Sequence, residues 1–314
     1  MAEMVKKATR ESFGETVTAL AAEYPEIVVL DADLAAATKT GIFKKAYPER
    51  FFDCGIAECN MVGVAAGLAT CGKIPFAASF AMFSAGRAFE QVRNSVGYPK
   101  LNVKIVGSHA GISVGEDGAT HQCCEDIALM RTIPGMVILN PCDHYEMQAA
   151  VRAAVEHKGP CYIRLGRLAV ESINNNDDYK FELGKGITLR EGTDITVVAT
   201  GLMVQEAVKA ADALKEEGIS VEVINIHTIK PLDEELVIAS AKKTGRVITV
   251  EEHNIIGGLG EAVSTALSEH CPTSVTRIGV NDVYGHSGPA VDLLKEFGLS
   301  AEHIAEVIRE KLAK

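Results

Sequence analysis

Short runs of apolar, often β-branched residues alternate with helical patterns along the whole chain. Strands are predicted at 27–30, 75–80, 102–109, 136–141 and 161–166, and then at 194–200, 219–226, 246–252 and 274–280. Because parallel strands need long crossover connections, this alternation is typical of parallel sheets with helices on both faces. The sequence therefore predicts an α/β protein.

The length of the chain and one polar interruption predict two domains. A chain of 314 residues is long for one ordinary domain. The stretch ESINNNDDYK at 171–180 breaks the strand–helix alternation and is typical of a linker. We therefore expect two three-layer α/β/α domains of the parallel type, comprising residues 1–178 and 179–314, with a closing helix near 300–313.

Composition excludes several classes of partner. The chain has 31 Lys and Arg against 42 Asp and Glu, a net charge of −11, and no block of basic residues. Neither nucleic acid nor an anionic membrane is therefore an expected partner. No apolar stretch approaches the roughly 18 residues of a membrane span, and the N-terminus lacks the apolar core of a signal peptide. The 8 cysteines show no CxxC pair or zinc spacing, which predicts reduced thiols, a cytoplasmic protein and no zinc site made of cysteines.

The segment GIAECNMVGVAAGLA at 55–69 places the carboxylate of Glu58 at the head of an apolar helix. Apolar residues cover every face from Glu58 to about Cys71, which predicts a helix buried on all sides. Gly63 and Gly67 would let another backbone approach closely. The carboxylate of Glu58 has two interpretations: it complements the helix dipole, or it serves chemistry, since an unpaired carboxylate in apolar surroundings has a raised pKa.

Two further stretches contain candidate functional side chains. The glycine-rich segment at 107–136 contains His109, Asp117 and His121, which could form a metal site, a polar binding loop or an ordinary solvated turn. The segment at 75–92 contains Phe80 and Phe83, which could pack in a core or stack on a flat ligand. The residue types leave these alternatives open.

The stretches FFDCGIAECNMVGVAAGLA and GEDGATHQ, the latter followed by R-x-IPGM, resemble the transketolases, and the resemblance runs from about residue 5 to the C-terminus. It implies that Glu58 hydrogen-bonds atom N1′ of the aminopyrimidine ring of thiamine diphosphate. The carboxyl group thereby favours the imino tautomer, which removes the proton from carbon C2 of the cofactor. The resemblance further implies that Phe80 and Phe83 hold the pyrimidine ring.

The same resemblance implies roles for the polar loop. Residues matching His109 and His121 contact substrate hydroxyls or stabilise the developing alkoxide, and the one matching Asp117 accepts a hydrogen bond on the C2-hydroxyl side of the donor sugar. Arg167 matches an arginine that forks onto the substrate phosphate. Ala37 stands where the family often has a phosphate-binding serine, so either Thr38 or Lys39 acts instead or the contact is lost. The β subunits of 2-oxoacid dehydrogenases usually lack the Glu-Asp-Gly-x-Thr-His run, which favours a sugar phosphate.

One part of the family pattern is missing. The chain has no Gly-Asp-Gly motif followed by asparagine, through which the family binds the diphosphate and a divalent cation. The resemblance thus implies the C-terminal subunit of a split transketolase, with Mg²⁺ or Ca²⁺ held mainly by a diphosphate-binding partner in an α2β2 assembly.

We expect transfer of a two-carbon ketol unit from a ketose phosphate such as xylulose 5-phosphate to an aldose phosphate such as ribose 5-phosphate. Two alternatives stay open: a subunit acting on pyruvate or another sugar, and a non-catalytic partner. No catalytic role is predicted for the C-terminal domain.

Overall fold

The structure of the chain is a computed structural model that describes residues 4–174 and 179–313. We refer to these two ranges as the N-terminal half and the C-terminal half. The predicted domain boundary at residue 178, and with it the middle of the predicted linker, lies outside the described residues.

Strands and helices alternate through both halves. The strands are β1 (Lys6–Ala8), β2 (Ile27–Asp31), β3 (Phe51–Asp53), β4 (Ile74–Phe80), β5 (Lys104–Ser108), β6 (Val137–Leu139), β7 (Cys161–Arg164), β8 (Ala169–Glu171), β9 (Ile187–Arg190), β10 (Ile195–Ala199), β11 (Val221–Asn225), β12 (Thr228–Lys230), β13 (Val247–Asn254) and β14 (Val275–Val280). The α-helices are α1 (Thr9–Leu20), α2 (Ala35–Thr38), α3 (Gly41–Ala46), α4 (Glu58–Thr70), α5 (Phe89–Gln91), α6 (Asp126–Arg131), α7 (His144–Glu156), α8 (Met203–Lys215), α9 (Glu234–Thr244), α10 (Leu259–His270), α11 (Ala290–Glu296) and α12 (Ala301–Leu312). Short 3₁₀ turns lie at Pro48–Arg50 and Ile112–Asp117, and π-helical turns at Met82–Arg87 and Val92–Gly97.

The predicted α/β class is confirmed, with two mixed but mainly parallel sheets. The 7-stranded sheet has the order β12-β6-β7-β5-β4-β2-β3, and the 5-stranded sheet has the order β14-β13-β10-β11-β9. Each sheet carries one antiparallel edge strand, β12 in the first and β9 in the second. Strand β12 belongs to the C-terminal half but pairs with β6 of the N-terminal half, so the two halves share a sheet.

Both faces of the 7-stranded sheet are buried, as strands with helical crossovers require. Successive side chains of a strand point to opposite faces. Leu30 and Ile105 belong to one apolar cluster, and Val29 and Val106 belong to another. Helix α1 covers the second cluster with Phe13, Val17 and Leu20. Within the described ranges, no helix combines the length and the apolar character that crossing a membrane requires.

Helix α4 differs from the prediction of burial on all sides. Its buried positions lie on one side and include Met61, Val62 and Ala65, whereas Gly63 and Gly67 are exposed. A Cβ atom added at either glycine would meet nothing within 4 Å. The all-round burial is therefore wrong for this chain by itself, because no other part of its described residues covers the glycine face.

Candidate active site

The candidate residues follow the carboxyl ends of neighbouring parallel strands. Phe80 ends β4, His109 follows β5, and Arg167 lies three positions beyond the end of β7. Strands β4, β5 and β7 are adjacent in the sheet. Because the carboxyl ends of parallel strands meet at one edge, side chains from distant parts of the chain come together there.

Two phenylalanines and two histidines form one ring cluster. The ring of Phe80 stacks on His109 at a centroid distance of 4.1 Å and on Phe83 at 6.1 Å. His121 meets both phenylalanines edge-on, at 6.1 Å from Phe80 and 5.4 Å from Phe83. Four of the predicted site residues thus form one connected cluster of rings, with Phe80 in contact with the other three.

The carboxylate of Glu58 lies beside this cluster and has a cationic partner. Glu58 is 1% exposed, and Arg87 Nη1 donates a hydrogen bond to its Oε2 at 2.8 Å. The guanidinium of Arg87 also lies over the ring of Phe83, 4.6 Å from its centroid. Sequence analysis missed Arg87 although it lies within the aromatic segment at 75–92, because nothing local shows which cation pairs with a buried acid.

His109 is held in one tautomer. Its Nε2 lies 3.1 Å from Arg10 Nη1 and its Nδ1 lies 2.9 Å from Ser108 Oγ. Because a guanidinium can only donate, Nε2 accepts, and the ring proton resides on Nδ1 and faces the serine hydroxyl. Burial first, and then the charges of Arg10 and Arg167, lower the pKa of His109 to about 3. The imidazole is therefore neutral at physiological pH.

Arg10 is a further site residue that sequence analysis missed. It lies in the first turn of α1, half-buried, and donates to the carbonyl oxygen of Ala37 at 2.8 Å as well as contacting His109. Burial lowers the pKa of this guanidinium, and the charge of Arg167 acts in the same direction. The sequence does offer one indication of this role, because Arg10 is a charged residue among the mostly buried positions at the start of α1.

Thr38 and Lys39, the two residues that could replace the missing serine, make different contacts in the loop after β2. The hydroxyl of Thr38 is buried and donates to Asp31 Oδ2 at 2.8 Å. Lys39 is half-exposed, its Nζ lies 3.5 Å from Glu11 Oε1, and its charge is among those that lower the pKa of His109. Thr38 is thus engaged in fixing the loop, whereas the ammonium group of Lys39 acts on the site.

Arg167 and Asp117 lie on the outer side of the site. Arg167 Nη1 donates to the carbonyl oxygen of Val114 and to Glu116 Oε2. Asp117 is exposed at the end of the 3₁₀ turn at Ile112–Asp117. The charge of Arg167 lowers the pKa of His109, whereas Asp117 is open to solvent.

A groove of about 890 Å³ opens beside Phe83 and Arg87. Thr120 and Gln122 line its side in the N-terminal half, and Asn254 and Tyr284 line its side in the C-terminal half. Across residues 4–174 and 179–313, no group of three or more His, Cys, Asp and Glu side chains could hold a metal ion. The rings of Phe80 and Phe83 can stack on a flat ligand, and the charges of Arg10 and Arg167, which lower the pKa of His109, can attract an anionic group.

Comparison with known proteins identifies the class to which this fold and site belong. The family model described as transketolase, pyrimidine binding domain, matches residues 5–172, and the one described as transketolase, C-terminal domain, matches residues 184–304. The chain belongs to the transketolase family, whose members depend on thiamine diphosphate. Within that family it matches the section that contains the pyrimidine-binding and C-terminal domains.

Individual relatives agree with this placement. The chain is 52% identical over 99% of its length to a transketolase C-terminal section from Methanocaldococcus jannaschii, of which it covers 98%. It is 46% identical over 96% of its length to a 6-deoxy-6-sulfo-D-fructose transketolase subunit from Clostridium sp. (strain MSTE9), of which it covers 93%. Against Homo sapiens transketolase the identity is 39% over 98% of this chain but only 50% of that protein. A solved structure described as a split gene transketolase, inactive beta4 tetramer, superposes with a TM-score of 0.91 at 51% identity, covering 98% of this chain and 99% of that one.

Proposed function

We propose that this chain is the pyrimidine-binding subunit of a two-chain transketolase. With a diphosphate-binding partner subunit it transfers a two-carbon ketol unit from a ketose phosphate to an aldose phosphate. Xylulose 5-phosphate and ribose 5-phosphate, sugars of the pentose phosphate pathway, are the expected donor and acceptor. One observation carries the proposal. The Glu58 carboxylate, the ring cluster and the cations that act on His109 lie together at one edge of the sheet.

The groove beside Phe83 and Arg87 is proposed to receive the aminopyrimidine ring of thiamine diphosphate. The flat guanidinium of Arg87 already stacks on Phe83 and donates an N–H to Glu58. A flat nitrogen heterocycle presenting a polar edge would make the same two contacts. When bound, the cofactor supplies the carbon nucleophile for cleavage of the sugar. Glu58 holds a shared proton at ring atom N1′, and Phe80 and Phe83 fix the plane of the ring.

The histidines are proposed to contact the hydroxyl groups of the donor sugar. His109 is neutral, so it accepts or donates hydrogen bonds without adding a charge beside the cofactor. Arg10, which holds Nε2 of His109, supplies the positive charge that stabilises a developing alkoxide. His121 lies edge-on to the rings, and Asp117, exposed on the same loop, accepts a hydrogen bond on the C2-hydroxyl side of the donor sugar.

The phosphate group of the substrate is proposed to bind the cations Arg10, Lys39 and Arg167. The charges of all three lower the pKa of His109, so all three lie near this part of the site. Guanidinium groups match phosphate oxygens in a two-pronged geometry, and the ammonium of Lys39 replaces the hydroxyl that Ala37 cannot offer. This cation cluster favours a phosphorylated sugar over pyruvate, which needs only one positive partner.

A partner subunit is proposed to cover the glycine face of α4. Gly63 and Gly67 are exposed, and Ile56, just before Glu58, is 78% exposed. Apolar surface of this kind beside an active site is typical of an interface. The partner would hold the diphosphate and the Mg²⁺ or Ca²⁺ ion in a cytoplasmic α2β2 assembly. In each copy, residues 1–178 form the pyrimidine-binding domain and residues 179–314 the C-terminal domain.

The test uses the complex of this chain with a diphosphate-binding transketolase subunit. Ketol transfer is measured with xylulose 5-phosphate and ribose 5-phosphate, and thiamine diphosphate binding by calorimetry. Glu58→Gln should lower turnover by at least about 10²-fold, the scale of acid–base catalysis, while the complex still assembles. Glu26→Gln, which changes an exposed carboxylate in the turn before β2, is the matched control. Near-normal turnover of Glu58→Gln would rule out the acid role.

A donor panel separates the alternatives. Turnover of pyruvate without turnover of xylulose 5-phosphate would indicate an oxo-acid enzyme. Preference for unphosphorylated xylulose or for 6-deoxy-6-sulfo-D-fructose would indicate a different sugar ketol-transferase. Cofactor binding without turnover of any donor would indicate a non-catalytic subunit.

A further inference from the structure

The loop that carries the candidate sugar-binding residues is clamped by the C-terminal half. We call residues 109–124, which include His109, Asp117 and His121, the sugar loop. Glu252 on β13 reaches it from the other half of the chain. The carboxylate of Glu252 is 3% exposed, and its Oε1 accepts a hydrogen bond from the backbone N–H of Ser113 at 2.6 Å.

Hydrogen bonds with the same half also hold the far end of the sugar loop. The N–H of Asn254, two residues after Glu252, donates to the carbonyl oxygen of Cys124 at 2.7 Å. The side-chain amide of Gln122 donates to the carbonyl oxygen of Ile112 at 3.2 Å and to that of His286 at 3.0 Å. The sugar loop is thus attached to the C-terminal half at both ends.

The surfaces meet too closely for side chains at two glycines. Gly111 has φ +85° and Gly118 has φ +74°, which favour glycine. A Cβ atom at Gly111 would overlap the Glu252 carboxylate, and one at Gly118 would overlap the hydroxyl of Ser287. The path of the sugar loop is therefore fitted to the C-terminal half.

The strand that carries Glu252 is fixed in turn by the N-terminal half. Arg164 Nη2 donates to the carbonyl oxygen of Glu252 at 2.8 Å, and Arg164 Nε donates to Asp126 Oδ2 at 2.8 Å. Asp126 begins helix α6, directly after the sugar loop. The side chain of Glu252 is therefore held by its bond to Ser113 in the sugar loop, and its backbone is held by Arg164 of the N-terminal half.

We propose that Glu252 is a positioning residue: its carboxylate, reaching across from the C-terminal half, fixes Ser113 and thereby the alignment of His109 and His121 on the donor sugar. The proposal rests on the proposed function, because it assumes that the sugar loop binds the donor. It assigns to the C-terminal half a part in aligning the donor sugar.

The experiment compares three variants of Glu252 with a matched control in the complex with the partner subunit. Glu252→Ala and Glu252→Asp remove or shorten the acceptor, and Glu252→Gln keeps an oxygen at the same reach. Glu222→Ala is the control, since Glu222 is also a buried strand carboxylate of the C-terminal half but bonds Thr196 and Lys243. We expect the KM for xylulose 5-phosphate to rise at least about tenfold in the alanine and aspartate variants. The glutamine variant should stay within about threefold of wild type, and the affinity for thiamine diphosphate should not change.

A second readout does not depend on activity. Hydrogen exchange of the amides at 110–118 should be at least about tenfold faster in Glu252→Asp than in wild type, and unchanged in Glu222→Ala. A KM that rises equally in Glu222→Ala, or unchanged exchange in Glu252→Asp, would overturn the positioning role. If no donor is turned over but hydrogen exchange is faster in Glu252→Asp and unchanged in Glu222→Ala, Glu252 does fix the sugar loop and it is the proposed function that fails. If Glu252→Ala does not fold, the aspartate variant decides.

Discussion

Removal of the charge of Asp126 should destabilise the chain more than any surface substitution. Asp126 is fully buried and accepts hydrogen bonds from Arg164 Nε at 2.8 Å, Arg164 Nη2 at 3.2 Å and Tyr162 Oη at 2.8 Å. Asp126→Asn keeps the shape but leaves the buried guanidinium unpaired. Breaking a buried ion pair by removing one partner costs about 3–5 kcal/mol, so this is the expected loss in the free energy of unfolding.

The assay is urea unfolding at pH 7, followed by circular dichroism at fixed protein concentration. The control is Asp212→Asn, which breaks the exposed pair of Asp212 with Arg190 and should cost less than about 1 kcal/mol. The double variant Asp126→Asn/Arg164→Met removes the stranded charge as well, so it should recover part of the loss. A cost for Asp126→Asn as small as that of the surface control would refute the reasoning.

The same pair predicts a pH dependence of stability. Burial alone would raise the pKa of Asp126, but the charge and hydrogen bonds of Arg164 outweigh it and hold the pKa below the usual value. A carboxyl group whose pKa is lowered in the folded state stabilises the fold above the unfolded pKa of about 3.9. The advantage of the wild type over Asp126→Asn should therefore be complete at pH 6 and shrink as the pH falls below about 4.

Three further predictions concern other parts of the chain. Burial, and then the charge of Asp143, raise the pKa of Glu146 to about 7. Because the folded state holds this proton more tightly than the unfolded state, the free energy of unfolding of the wild type should fall by at most about 3 kcal/mol from pH 4.5 to pH 7. Glu146→Gln should lack this pH dependence in urea titrations. Gly63→Ala should stabilise the isolated chain by up to about 1 kcal/mol in thermal unfolding, because the added Cβ atom meets nothing within 4 Å. The same variant should weaken assembly with the partner in sedimentation experiments. Unchanged assembly would exclude this face from the interface. Arg87→Met removes the group that stacks on Phe83 and pairs with Glu58, so the complex should bind thiamine diphosphate more tightly in calorimetry; weaker binding would show that Arg87 helps to hold the cofactor.

The local elements were predictable because they depend on patterns of neighbouring residues. The strands predicted at 27–30 and 161–166 correspond to β2 and β7. Strand β12 was not predicted, since its three residues have no strand pattern of their own and pair with β6 of the other half. The exposed side of α4 was missed for a related reason: an apolar helix indicates burial but not which chain supplies the cover.

The candidate site was predictable only as far as single motifs reach. Glu58, Phe80, Phe83, His109 and His121 lie in motifs quoted from the sequence, and the structure gathers the four rings and places Glu58 beside them through Arg87. The partners of these groups come from elsewhere in the chain. Arg10 is 99 positions from His109, and Glu252 is 139 positions from Ser113. Such pairs depend on tertiary packing, which no local pattern encodes.

The central claim is that the site of this chain is incomplete without a diphosphate-binding subunit. The most direct measurement is the rate of ketol transfer from xylulose 5-phosphate to ribose 5-phosphate, with thiamine diphosphate and Mg²⁺ in excess, as that subunit is titrated into a fixed amount of this chain. The account predicts no transfer by the chain alone and a rate that rises to a plateau at one partner per chain. Transfer by the isolated chain at the plateau rate would contradict it.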